Sequence, residues 1–108
     1  MTDEEFKLND SGYLIKNGHN IIYHQSKEIA QMGIGEVKDG KMNMIDFMSL
    51  EEGKGYGKAS IKFLFNQLSK INVIELKCKD HVLSFWQKCG GVVTDKDTYY
   101  NTVTISRK

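Results

Sequence analysis

Three glycines at alternating positions, Gly53, Gly55 and Gly57, stand between two segments of different period. Before them, Met42 to Leu50 is an apolar run of strand length. After them, Ile61, Leu64, Phe65 and Leu68 recur at helical spacing, in a pattern that ends near Lys70. A strand, a glycine-rich turn and a helix in that order restrict the chain to a mixed α/β layer. Glycine lets the backbone approach a ligand closely. The free N–H groups at a helix start, together with the helix dipole, favour an anion there. The stretch Gly53-Lys54-Gly55-Tyr56-Gly57-Lys58-Ala59 therefore reads as a phosphate cradle.

The rest of the chain supplies a sheet for that unit. Its 108 residues suit one domain, residues 1–108, with a core that needs no staples. Met1 to Asp10 is polar and acidic and is expected to fray. Gly12 to Lys16 and Ile21 to His24 read as strands around an Asn17-Gly18 hairpin. Glu28 to Val37 reads as a third strand, and Lys38-Asp39-Gly40-Lys41 as an Asp-Gly turn. Met42 to Leu50, apolar on both faces, is expected at the centre of the sheet. Ile71 to Cys78 alternates strictly, with Ile74, Leu76 and Cys78 on one side. Val82, Phe85, Trp86 and Cys89 follow the spacing of a short amphipathic helix, which Gly90-Gly91 stops. Val92 to Thr94 and Tyr99 to Ser106 form a last hairpin around Asp95-Lys96-Asp97. The expected class is α/β of the α+β kind. It has a mixed, mostly antiparallel central sheet of about seven strands and two helices, with a parallel crossover through the glycine unit.

Composition narrows the partners. Net charge is +1, from 15 basic and 14 acidic residues, which argues against nucleic acid. No apolar run is long enough to span a bilayer and no signal pattern opens the chain, so a cytoplasmic location without membrane partners is expected. Cys78 and Cys89 lack metal or redox spacing and read as reduced core thiols. His19, His24 and His81 show no metal spacing either, and no metal is expected.

The type of cradle follows by comparing patterns. The nucleotide P-loop needs a glycine where Glu52 stands, and a Ser or Thr where Ala59 stands. The dinucleotide fingerprint needs its third glycine at Lys58 or Ser60. A different signature does match. Glu52-Gly53-Lys54-Gly55-Tyr56-Gly57 resembles the Arg/Gln-x-x-Gly-x-Gly/Ala signature of the GNAT acetyltransferase family, keeping both signature glycines. Phe85-Trp86-Gln87-Lys88-Cys89-Gly90-Gly91 resembles a second family signature, Phe-Tyr-x-Lys-x-Gly-Phe. The spacing between the two, with one strand between them, fits the family, as does the element order from residue 12 to 106. Three positions depart from it: Glu52 replaces Arg or Gln, Trp86 replaces a tyrosine, and Gly91 replaces an aromatic residue.

The resemblance implies a fold that binds acetyl-CoA. It implies that the pyrophosphate rests on the backbone of Gly53, Lys54, Gly55, Tyr56, Gly57 and Lys58. It also implies that the pantetheine arm runs along Phe47, Met48 and Ser49, in a slot made by splaying of the fourth and fifth strands. Trp86 would wall the arm, and Lys88 would stand at the cofactor rim. The implied activity is acetyl transfer to an amine. The family's first helices are missing here, because Asn17 to Asn20 leaves room only for a turn. An open acceptor groove follows, suited to a protein lysine, unless a second copy of the chain closes it.

Candidates for the chemistry are sparser. Asp46 lies in phase with Met42, Met44 and Met48, and an acid inside an apolar run is a candidate general base. Glu36 competes for that role if the third strand is regular, although Gly33 and Gly35 could mark a bulge that turns it outward. Tyr99 is a candidate acid from the last hairpin. Cys89 and Tyr56 are alternatives whose simpler reading is packing. The rival function is a non-catalytic module of this fold that binds CoA or a protein partner, motivated by Glu52 and Trp86.

Overall fold

A computed structural model describes residues 6–50 and 55–107. Seven strands form one sheet in the order β1-β2-β3-β4-β5-β7-β6. They are β1 (Phe6–Leu8), β2 (Gly18–His24), β3 (Lys27–Lys38), β4 (Lys41–Ser49), β5 (Val73–Cys78), β6 (Gly91–Lys96) and β7 (Asn101–Ser106). Only β4 and β5 pair in parallel. Helix α1 (Tyr56–Gln67) links them, and a 3₁₀ turn (Asp80–Val82) leads from β5 into α2 (Leu83–Lys88). The mixed, mostly antiparallel sheet with two helices is the expected architecture.

Both helices bury their apolar sides against the sheet. Ile61, Leu64 and Phe65 of α1 and Trp86 of α2 join Ile22, Met32, Met42, Ile74 and Val103 in a single core. Alternation in β5 holds: Ile74, Leu76 and Cys78 are buried, whereas Lys77 is exposed. The Asp39-Gly40 turn between β3 and β4 has positive φ at both residues, 53° and 78°, as a tight hairpin turn requires. Arg107 closes the crossover from below. Its guanidinium donates to the carbonyls of Leu68 and Ile71 and stacks over Phe65 at 5.2 Å.

The amino-terminal end differs from expectation. The first strand is Phe6–Leu8, inside the stretch expected to fray, and residues 12–16 are loop. Leu8 is fully buried and repays the ordering of its neighbours. Two buried asparagines organise the loop that follows. Asn9 donates to Asn20 Oδ1 and to the Tyr13 carbonyl, both at 2.8 Å, and accepts from the Ile21 N–H. Asn20 bonds both backbone groups of Ile15. Side chains thus satisfy polar backbone that a second strand would have satisfied. The hairpin expected at Asn17-Gly18 does not form: Gly18 to Asn20 already belong to β2, and the connection from β1 spans residues 9–17 and holds no helix.

The second difference lies in β3 and β4. Gly33 faces Asp46, but the next residue, Ile34, faces Met44, so Ile45 is an extra residue in β4. A second irregularity between Ile34 and Val37 follows in β3. An extra residue reverses the inward phase of a strand with period two. Met42 and Met44 point into the core before the bulge, and Phe47 points inward after it. Ile45, 65% exposed, lies over Gly33 and Gly35 instead. The fourth strand is central in the sheet, but its second half is not apolar-buried on both sides.

The last hairpin is shifted too. Its turn lies after Lys96, so Tyr99 precedes β7. The Asp97 carboxylate accepts the N–H groups of Tyr99 at 2.8 Å and Tyr100 at 2.7 Å, which builds the turn.

Candidate functional site

The pairing of β4 with β5 stops at Met44 opposite Leu76. β4 nevertheless runs on to Ser49, and β5 to Cys78. Beyond the last pair a cavity of about 730 Å³ opens between the end of β4, the start of α1 and α2. That is ample for part of a small-molecule ligand. Its walls are Phe47, Met48 and Ser49 from β4, Gly55 to Lys58 from α1, and Val82, Phe85, Trp86, Lys88 and Cys89 from the α2 side.

Three local features shape it. Gly55 sits at the N-cap of α1 with φ +74°, and no side chain caps the helix. Among the described residues, a Cβ on Gly55 would meet nothing within 4 Å, so they leave the cavity open at that point. The first turn contains no acidic residue, and the backbone N–H groups of a helix start favour an anion. Gly57 is buried for a different reason. A Cβ there would overlap the ring of Phe85, so α1 and α2 touch only because the side chain is absent. On the α2 side, Phe47, Phe85 and Trp86 form an aromatic cluster. Trp86 meets Phe47 edge-on at 5.2 Å and Phe85 at 4.9 Å.

Polar groups are few. Lys58 and Lys88 are exposed on the wall, one from each helix. The half-buried Tyr56 ring lies 5.7 Å from that of His24. Burial pushes the Cys89 thiol up from its ordinary value, against the opposing pull of Lys58.

Nine of the eleven residues expected around a cofactor converge on this cavity: Phe47, Met48, Ser49, Gly55, Tyr56, Gly57, Lys58, Trp86 and Lys88. The other two, Gly53 and Lys54, lie outside the described residues, as does Glu52. Val82, Phe85 and Cys89 complete the wall. Their helical spacing with Trp86 is visible in the sequence, although among these three only Cys89 stands there as a candidate for the site, with packing as its simpler reading.

The expected catalytic residues are not brought to the cavity. Asp46 is exposed, because the bulge at Ile45 takes it out of phase with Met42 and Met44. Its carboxylate lies over Gly33. Glu36 is exposed within the irregularity between Ile34 and Val37 of β3, the outward turn that Gly33 and Gly35 allowed for. Tyr99 is 76% exposed in the β6–β7 turn. A separate groove of about 270 Å³ lies where β4 and β5 part, lined by Asn43, Met44, Ile45, Glu75, Leu76 and Lys77.

Comparison with known proteins bears on the fold. No family model and no curated protein matches the sequence. Solved structures do match. The N-acetyltransferase PseH of Campylobacter jejuni, solved alone and with acetyl coenzyme A, superposes with a TM-score of 0.66 at 11% identity, over 83% of this chain and 67% of that one. The PaiA N-acetyltransferase of Thermoplasma acidophilum, in complex with coenzyme A, gives 0.64 at 17% identity, over 82% and 60%. An aminoglycoside N(6')acetyltransferase of Legionella pneumophila gives 0.67 at 16% identity, over 82% and 62%. The chain spans about two thirds of the length of these proteins. It has the GNAT fold that they share.

Proposed function

We propose that the chain binds acetyl-CoA in the cavity between β4, α1 and α2 and transfers acetyl to an amine, with a protein lysine as the favoured acceptor. The observation that carries this reading is the convergence of the β4 end, the α1 start and the α2 aromatic cluster on one cavity. It gains support from the fold, since structures of that fold were solved with acetyl-CoA or CoA.

The residues present fit the cofactor. The open space at Gly55 admits a group close to the backbone. The N–H groups at the start of α1, with Lys58 and Lys88, suit the pyrophosphate. Phe47, Met48 and Ser49 would hold the pantetheine arm, and Phe85 and Trp86 would keep water from it. When bound, the cofactor supplies the acetyl thioester. The chain's own part is to orient, exclude water and move protons. Among the lining residues, the Tyr56 phenol and the Cys89 thiol are the acids that can hand a proton to a leaving sulfur. Burial pushes the Cys89 thiol up, which weakens it as a donor and leaves the Tyr56 phenol as the favoured acid. With Asp46 and Glu36 exposed, the amine proton leaves to water through an open acceptor side. That openness suits a lysine presented on a protein better than an enclosed metabolite.

A second reading is favoured by one observation. Asp46, Glu36 and Tyr99 do not line the cavity. A chain that keeps the cradle and lacks a positioned base could serve as a CoA-binding module. Native mass spectrometry with acetyl-CoA, followed by an amine and lysine-peptide panel, separates the two. Bound mass with acetylated product supports the transferase. Bound mass without product supports the module. Absence of bound mass rules out both.

A further inference from the structure

Helix α1 carries two lysines, Lys58 and Lys62, and no carboxylate. Four residues apart, they share one face of the helix, and both are exposed. Neither has an ion-pair partner among the described residues. The arrangement is electrostatically unfavourable in two ways. Like charges four apart repel, and a cation in the first turn opposes the helix dipole. A helix face that serves only solvation would intersperse acids, and this one has none.

The row starts at the cavity and leaves it. Lys58 is part of the wall, with Lys88 contributed by α2, whereas Lys62 lies one turn further along α1 and outside the lining. A ligand that used only the helix start would leave the outer cation uncompensated. CoA carries a second anionic group besides its pyrophosphate, the phosphomonoester on its ribose. Dephospho-CoA keeps the pyrophosphate and lacks that group.

We propose that Lys62, together with Lys58, takes the ribose phosphomonoester of CoA outside the cavity, so that the chain selects CoA over dephospho-CoA. The proposal rests on the cofactor reading given above. Lys62 is here a specificity residue, with no part in the acetyl transfer itself.

Isothermal titration of the full chain with each ligand tests it. The wild type should bind dephospho-CoA about fivefold to tenfold more weakly than CoA, as two exposed charge pairs allow. Lys62→Gln should weaken CoA by about threefold and leave dephospho-CoA unchanged, and Lys62→Arg should restore the preference. The preference should also shrink at high salt. Equal affinity of the wild type for the two ligands overturns the phosphomonoester assignment and leaves the cavity reading standing. So does a Lys62→Gln effect of the same size on both ligands. Failure to bind either ligand overturns the cofactor reading and this proposal with it.

Discussion

The two ends of the β4–β5 gap are built to different standards. On the helix side, a short strand end, a helix start and an aromatic cluster meet around one cavity. Away from that cavity, the acids expected to serve the chemistry stand exposed and apart, Asp46 over Gly33, Glu36 within an irregularity of β3 and Tyr99 on a turn. A ligand site made of backbone and apolar walls is specified by where glycines and aromatics fall. A proton-transfer site needs side chains aimed to a fraction of an ångström, and the described residues show no such aim. The contrast teaches that retention of the fold says little about how fast any chemistry on it runs.

The strongest attack on that contrast is through the helix side. Trp86→Ala should cost about 3–5 kcal/mol in stability, because a buried ring that braces Phe47 and Phe85 would leave a void. A chemical denaturation curve checks it, and a loss below 1 kcal/mol would mean that the cluster is not packed as described. Gly57→Ala should destabilise by about 1–3 kcal/mol through overlap with Phe85, and a paired Gly57→Ala, Phe85→Leu variant should recover part of that. Unchanged stability of the single variant would show that the helices do not touch there.

A milder pair of tests separates stability from ligand binding. Gly55→Ala meets no steric neighbour among the described residues, so its cost should stay at about 1–2 kcal/mol, the cost of a left-handed residue with a side chain. Acetyl-CoA should nevertheless fail to raise the melting temperature of this variant as it raises that of the wild type. A full ligand-induced shift would place the cofactor elsewhere. On the far edge, the Asn101 amide, Lys96 and neighbouring charge hold the Asp80 carboxyl below its ordinary range. The N–H groups of Tyr100 and Tyr99 do the same for Asp97. Groups depressed in the folded state contribute fully above the usual carboxylate range. Their contribution is lost as pH falls through the lowered values. The destabilisation caused by Asp97→Ala should therefore shrink in acid, as melting curves across a pH series will show. An effect independent of pH would contradict the assignment.

The smallest expected effect matters most to the contrast. Asp46→Asn and Glu36→Gln should change acetyl transfer by less than about threefold, against the hundredfold or more that loss of a general base brings. A hundredfold loss in either variant would show that the acceptor side organises itself around the amine.

Much of this was legible in the sequence, for physical reasons. Alternation in β5 and the Asp39-Gly40 turn act over two or three residues, so short-range pattern reveals them. The turn at the head of α1 is local in the same sense, since Gly55 acts through its own left-handed backbone, whereas the reason for Gly57 lies on the other helix, in the ring of Phe85. Phe6–Leu8 escaped notice because three residues in an acidic stretch make no pattern. What orders them is the burial of Leu8 and pairing with Ile22 to His24, more than a dozen positions away. The face of Asp46 escaped notice because counting by twos along β4 is valid only until Ile45. Nothing in the side chains of residues 42–50 announces where the count breaks. Gly33 and Gly35, on the neighbouring strand, were the one visible sign.

That bulge carries an evolutionary corollary. Deletion of the single codon for Ile45 would remove the one residue that β4 carries beyond its pairing with β3 and would straighten the strand. Met44 would then be followed directly by Asp46, and plain alternation would keep Asp46 outward and Phe47 against Trp86. The wall of the cavity therefore depends on the pairing of β4 and not on its residue count. A lineage using this cavity is free to lose Ile45, but not to lose the inward phase of Phe47.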